Sequence, residues 1–253
     1  MGFIEAKRTV GCGMLTAALL FVSAPLAAAD QVREDQWALD ALNADAVWKL
    51  SKGSGVIVAV IDDGVNADHV DLRGNVLAGK DFMGGGSTAP DAGDNHGTAM
   101  ASIIAAHGHG SRDGVIGLAP EAKILPIRSF GTGGAGLAGP IRYAVDHGAS
   151  VINASMCFDS SDPDGVQQVS DAVAYALSRN VLVVGAAGNE DDKGGKCYPA
   201  ASPGALGVGA VQNDGHIWKS SNPGDFVALS APGTTHRLRT GHRRRLPRGK
   251  RYL

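Results

Sequence analysis

Gly55-Val56-Ile57-Val58-Ala59-Val60-Ile61-Asp62-Asp63-Gly64 is the stretch that decides the fold. A strand with one wet face would alternate apolar and polar residues. This one is apolar and largely β-branched throughout, as a strand buried on both faces must be. Lys123–Arg128, Ser150–Ser155, Val181–Ala187 and Leu206–Val211 read the same way. Helical patterns lie between these runs, at Gly97–His107, at Gly139–His147 and from Asp164 to Arg179. In the last of these Val166, Val169, Val173, Ala176 and Leu177 recur at a spacing of three and four. Strands alternating with helices predict an α/β fold, a mostly parallel sheet with helices on both faces in three layers. In such folds ligands gather at the carboxyl ends of the strands, which is where the chemistry-bearing residues fall here.

The chain has 253 residues, enough for one large domain. Its 36 glycines suit many tight strand-to-helix turns and exclude a helix bundle. Residues 30–235 hold 13 Lys and Arg against 24 Asp and Glu, so the body is acidic and is not a phosphate-binding surface; no nucleic-acid partner is expected of it. Residues 236–253 reverse this with eight Lys and Arg and no acid. At the other end, Lys7 and Arg8, the apolar Met14–Val22 and Ala27-Ala28-Ala29 form the three parts of an export signal over residues 1–29. That signal predicts a secreted, extracytoplasmic protein. Cys12 leaves with it, and Cys157 and Cys197 remain as an even pair in an oxidising compartment.

Three polar residues stand at strand or helix ends. Asp62 closes the first strand, and a buried carboxylate there needs a hydrogen-bond donor such as a histidine N–H. Asp63 is its neighbour and rival for that role. His96 opens a helix of small residues in His96-Gly97-Thr98-Ala99, and Asn189 follows the strand ending at Ala187-Gly188. Each has a purely structural alternative: a strand-end carboxylate, a packed core histidine and a turn-capping asparagine. His107, His109 and Asp113 sit in a glycine-rich segment that reads as a polar loop, and no metal or cofactor is expected.

Val60-Ile61-Asp62-x-Gly64, His96-Gly97-Thr98 and Ala186-Ala187-Gly188-Asn189, in that order, resemble the subtilisin-like serine proteases, the subtilases of peptidase family S8. Arg33–Trp37, Trp48 and Gly53-Ser54-Gly55-Val56 bring the resemblance nearest to the mycosins, subtilases associated with type VII secretion. It spans about residues 30–233. The resemblance implies a subtilisin-like fold and cleavage of peptide bonds through an acyl-enzyme. It makes His96 the general base, Asp62 the group that orients its ring, and Asn189 an oxyanion donor. Gly131, Gly133, Gly134, Ser155, Met156, Cys157, Ala187 and Gly188 match segments that line the substrate, and a Cys157–Cys197 disulfide would tie two of them. The partners implied are a peptide or protein substrate and, through the mycosin likeness, a membrane secretion system. A monomer is expected.

The family's nucleophile lies in Gly-Thr-Ser-x-Ala-x-Pro, after a strand that Leu229–Gly233 matches. No serine follows Ser230 in these 253 residues, and Thr234 and Thr235 lack the small residues and proline of the motif. The reading is therefore an export signal at 1–29, an incomplete catalytic domain at 30–235 and an aberrant Arg-rich tail at 236–253. The tail's Arg, Gly, Pro and His content suggests GC-rich coding DNA read out of frame. A genuine basic tail for nucleic acid or anionic lipid is the competing explanation. The chain is expected to be inactive as a protease, with a non-catalytic peptide-binding pseudoprotease or a non-functional fragment as the alternative.

Overall fold

The computed structural model describes residues 30–110, 113–129, 133–158, 161–191 and 195–234. The export signal, Gly131, Thr235 and the Arg-rich tail lie outside the described residues. In chain order the elements are α1 (Asp30–Glu34), α2 (Trp37–Ala41), α3 (Ala44–Trp48), β1 (Ile57–Asp62), β2 (Lys80–Asp81), α4 (His96–Ala105), β3 (His107–His109) and β4 (Asp113–Ile116). Then follow β5 (Lys123–Arg128), α5 (Ala135–Asp146), β6 (Val151–Ala154), α6 (Pro163–Ser178), β7 (Leu182–Ala186), β8 (Leu206–Val211) and β9 (Val227–Pro232).

Seven strands form one sheet in the order β2-β5-β1-β6-β7-β8-β9, parallel throughout. β1 has a neighbour on each side, and its alternate residues feed two cores. Ala59 and Ile61 join Leu125, Ile127, Ile141, Ile152, Val169 and Val173, the core under α5 and α6. Val58 and Val60 join Leu72, Ala99, Ala101, Ala105 and Ile124, the core under α4. The β1–β5 register explains the sorting, since Ala59 pairs with Leu125 and Val58 with Ile124, keeping like faces together. This is why the run around Ile61 carries no polar alternation: both of its faces are covered.

Three features differ from the sequence reading. His107–Gly114 is not a loop throughout, because β3 and β4 pair antiparallel as a small hairpin. Its histidines and glycines carry no apolar period of two, which hid the strands. α4 accordingly stops at Ala105 and leaves His107 to β3. α5 begins at Ala135, four residues before Gly139, and contains Pro140 in its first turns. Pro140 is the sixth residue of α5 and leaves the Gly136 carbonyl without its helical N–H; the Ser129 hydroxyl donates to that carbonyl at 3.0 Å instead.

The N-terminal arm is tied down by side chains. Gln36 donates from Nε2 to the Ile116 carbonyl at 2.8 Å and accepts the Ile116 N–H at 3.0 Å, so its amide extends β4 as a strand residue would. Trp48 donates to the Leu118 carbonyl at 2.9 Å, and Trp37 to the Thr234 carbonyl at 3.1 Å, joining the arm to the residue that follows β9 and Gly233. No helix among the described residues is long and apolar enough to cross a membrane.

Candidate active site

The carboxyl end of β1 and the start of α4 meet in a close seam. His96 Nδ1 lies 2.8 Å from both carboxylate oxygens of Asp62. Asp62 is buried, at 5% exposure, and the His96 side chain is 19% exposed, so the pair has one sheltered and one accessible end. An ionised carboxylate only accepts hydrogen bonds, so it fixes the ring proton on Nδ1 and leaves Nε2 as the acceptor of the neutral imidazole. Held against the Asp62 carboxylate in this way, the ring has its tautomer and orientation set together.

Asp63 takes a different place from its neighbour. Its Oδ2 accepts the His96 backbone N–H at 2.9 Å and its Oδ1 accepts that of Gly97 at 2.7 Å. Thus Asp62 meets the imidazole and Asp63 meets the helix terminus, which separates the two carboxylates that the sequence left as rivals. Burial holds the Asp63 carboxyl above its ordinary value; repulsion from Asp62 adds to this, while the N–H donors of Gly97 and His96 pull it back.

The residues around the pair explain the motifs. A Cβ on Gly97 would stand 2.4 Å from the Gly64 carbonyl oxygen and 2.8 Å from the Asp62 Cβ, so only glycine lets α4 approach β1 this closely. Gly64 has φ +122, and a Cβ there would press on the backbone of Thr88, Ala89 and Pro90. Thr98 is buried and its hydroxyl accepts the Asn66 N–H at 2.9 Å, fastening the chain just beyond Gly64.

β6 lies beside β1, and β7 beside β6. With strands about 4.8 Å apart, the ends of β1 and β7 are about 10 Å from each other across one edge. Ser155 follows β6, half-buried, its hydroxyl accepting from the Asn153 amide at 2.9 Å. Met156 packs against the core under α5 and α6. Cys157 is exposed and its sulfur is bonded to that of the fully buried Cys197 at 2.05 Å, with Cα atoms 5.0 Å apart. Past the bridge, Phe158 and Tyr198 pair through both backbone N–H groups.

Beyond β7, Ala187 is buried and its N–H reaches the Val208 carbonyl at 2.9 Å. Gly188 has φ +101, and a Cβ there would stand 2.3 Å from the Asn222 amide nitrogen. Asn189 is exposed, its backbone N–H held by the Glu190 carboxylate at 2.7 Å. Asn222 in turn holds Glu190, accepting its N–H at 2.9 Å and donating to its carboxylate at 3.0 Å. The sequence reading missed Glu190 and Asn222 in this role, because Asn222 lies 32 residues away in an unremarked segment. Gly133 is half-buried with φ +81. Gly134 is buried where α5 meets α6: a Cβ on it would overlap the Gly165 carbonyl.

In the His107–Asp113 segment, His109 Nδ1 lies 2.5 Å from the buried Asp71 carboxylate. His107 contacts the carbonyls of Gly108 and Arg73. Among the described residues no group of three His, Cys, Asp or Glu is placed to hold a metal ion.

Comparison with known proteins decides the family. The profile of the subtilase family matches residues 53–251, most of the chain. Thermitase of Thermoactinomyces vulgaris is 36% identical over 203 residues, which cover 79% of this chain and 70% of thermitase. The chain belongs to the subtilase family. An intracellular serine protease of Paenibacillus polymyxa is another relative of this subtilase, 35% identical over 80% of this chain. The chain spans only 64% of that relative's length. Among solved structures, the mycosin MycP1 with its N-terminal propeptide removed superposes with a TM-score of 0.68 at 29% identity, over 78% of this chain and 70% of MycP1. The parallel seven-stranded sheet with helices on both faces is thus the subtilisin-like fold, with mycosins among its structural relatives.

Proposed function

We propose that this subtilase carries the base-and-substrate half of a secreted serine endopeptidase, and that these 253 residues alone cut no peptide bond. The observation that carries the reading is the buried Asp62 carboxylate on Nδ1 of a partly exposed His96. In this reading His96 accepts the nucleophile's proton at Nε2 and returns it to the leaving amine, while Asp62 stabilises the imidazolium formed between these steps. Asn189 supplies a side-chain donor to the oxyanion from the far side of the same edge. Gly133, Ser155, Met156, Ala187 and Gly188 form the walls against which an extended peptide lies, and the Cys157–Cys197 bridge fixes one wall.

Asp62 and His96 activate a hydroxyl and cannot replace it. No serine of residues 1–253 lies in a Gly-Thr-Ser-x-Ala-x-Pro motif, so in this reading these residues by themselves form no acyl-enzyme. In this reading residues 1–29 direct export, and the likeness to MycP3, a protease of a type VII secretion system, supports a membrane secretion system as the working context. A fluorophosphonate probe and a casein substrate test the reading. The expected result is no covalent labelling and no hydrolysis. Stoichiometric labelling of Thr234, Thr235 or any serine, with matching hydrolysis, would overturn it. The walls that remain favour a second reading, a binder of extended peptides that does not cleave them.

A further inference from the structure

We propose that Asp63 is a positioning residue for the Asp62–His96 pair, closing a ring of hydrogen bonds that holds the imidazole on its carboxylate. The proposal rests on the role given to that pair above. The ring is closed by three hydrogen bonds among three residues. The Asp63 backbone N–H donates to Asp62 Oδ1 at 2.8 Å. The Asp62 carboxylate meets His96 Nδ1 at 2.8 Å. The His96 backbone N–H then donates to Asp63 Oδ2 at 2.9 Å, which returns the path to its start. Gly97 adds a second N–H on Asp63 Oδ1 at 2.7 Å.

A helix is ordinarily capped by the side chain just before it, and that cap serves the helix alone. Here Asn95 occupies the cap position and makes no side-chain cap bond. The acceptor arrives instead from the residue that follows β1, 33 residues earlier in the chain. A cap delivered from another element is also a tether: it ties the strand that bears Asp62 to the helix that bears His96. Asp63 is itself anchored, since its carbonyl accepts from Arg128 Nε at 3.2 Å and Arg128 is paired with Asp91. At 3% exposure, with both carboxylate oxygens on backbone N–H groups, Asp63 offers nothing to a substrate. Its work is done through His96.

Asparagine at 63 keeps one acceptor and alanine keeps none, so the two variants grade the loss. In the full chain with 15N-labelled histidine, the ring nitrogen shifts of His96 report how completely the Nδ1–H tautomer is held. Wild type is expected to show that tautomer alone, and Asp62→Asn to abolish the preference. Asp63→Ala should leave His96 averaging between tautomers and Asp63→Asn should lie between, while His109 on Asp71 keeps its shifts in both. Unchanged His96 shifts in Asp63→Ala would overturn the proposal and leave the pair intact. A wild-type His96 without the preference, or one indifferent to Asp62→Asn, would instead overturn the reading of the pair. If the variants do not fold, the wild type still decides: the amide protons of His96 and Gly97 should shift together with the Asp63 carboxyl carbon as it titrates. Amides that stay flat would sink the proposal.

Discussion

Replacing Gly97 by alanine should damage this protein although alanine is the better helix former. Two effects compete. Inside a helix, alanine is favoured over glycine by about 0.5–1 kcal/mol. Against this, the new Cβ would stand 2.4 Å from the Gly64 carbonyl oxygen, where real Cβ contacts essentially never fall below 3.0 Å. The seam between β1 and α4 must therefore open by at least about 0.6 Å. The opposing atoms are backbone and the Asp62 Cβ, so no flexible side chain can yield. Overpacking of this kind costs about 1–3 kcal/mol, which exceeds the helix gain. An opening of that size along the His96–Asp62 contact stretches 2.8 Å to about 3.4 Å, past the about 3.2 Å limit of a sound N–H···O bond. Urea unfolding followed by tryptophan fluorescence should show a net loss of about 1–2 kcal/mol, with His96 losing its fixed tautomer. A Gly97→Ala variant as stable as wild type, with His96 unchanged, would refute the close-seam reasoning.

The pH dependence of Asp63 has a definite sign. Its folded-state carboxyl is raised, so the folded protein holds a proton that the unfolded chain has released. Its contribution to stability is full below the ordinary value of about 3.9 and is lost as pH rises through the raised one. Wild type should accordingly lose stability relative to Asp63→Asn as pH rises across that window in denaturant titrations; a wild type that gains stability relative to Asp63→Asn over the same range would contradict this. Converting both Cys157 and Cys197 to serine should cost about 3–4 kcal/mol by the loop-closure relation for a separation of 40 residues, read as a lower urea midpoint. An unshifted midpoint would show that the bridge does not form. Asn75→Ala should cost about 2–4 kcal/mol, because its buried amide donates to the carbonyls of Ala105 and Pro120 and both would lose their donor. A loss below 1 kcal/mol would mean that water replaces the amide.

What could be read in advance follows from where the information sits. β1, β5 and β8 are continuous apolar runs, and burial on both faces leaves that pattern in the sequence without help from distant residues. Asp62, His96 and Asn189 were legible because each abuts a strand or helix end with a glycine that its close packing demands. The hairpin of β3 and β4 was not, since glycines and histidines carry no strand periodicity and its order comes from Asp71 and the arm. α1 to α3 are five residues each, too short for a period to register. The role of Asp63 was hidden for a different reason. It acts on backbone N–H groups 33 and 34 residues away, and backbone groups leave no mark in a sequence.

The central claim is that Asp62 and His96 form a working base that activates a serine hydroxyl once one is supplied. Joining Gly233 to a continuation that carries the family's Gly-Thr-Ser-x-Ala-x-Pro tests this by intact-mass labelling with a fluorophosphonate. The unextended chain should take up no label. The joined chain should take up one equivalent on the new serine, and His96→Ala within it should abolish the labelling. Labelling of the unextended chain, or labelling of the joined chain that survives the loss of His96, would contradict the account.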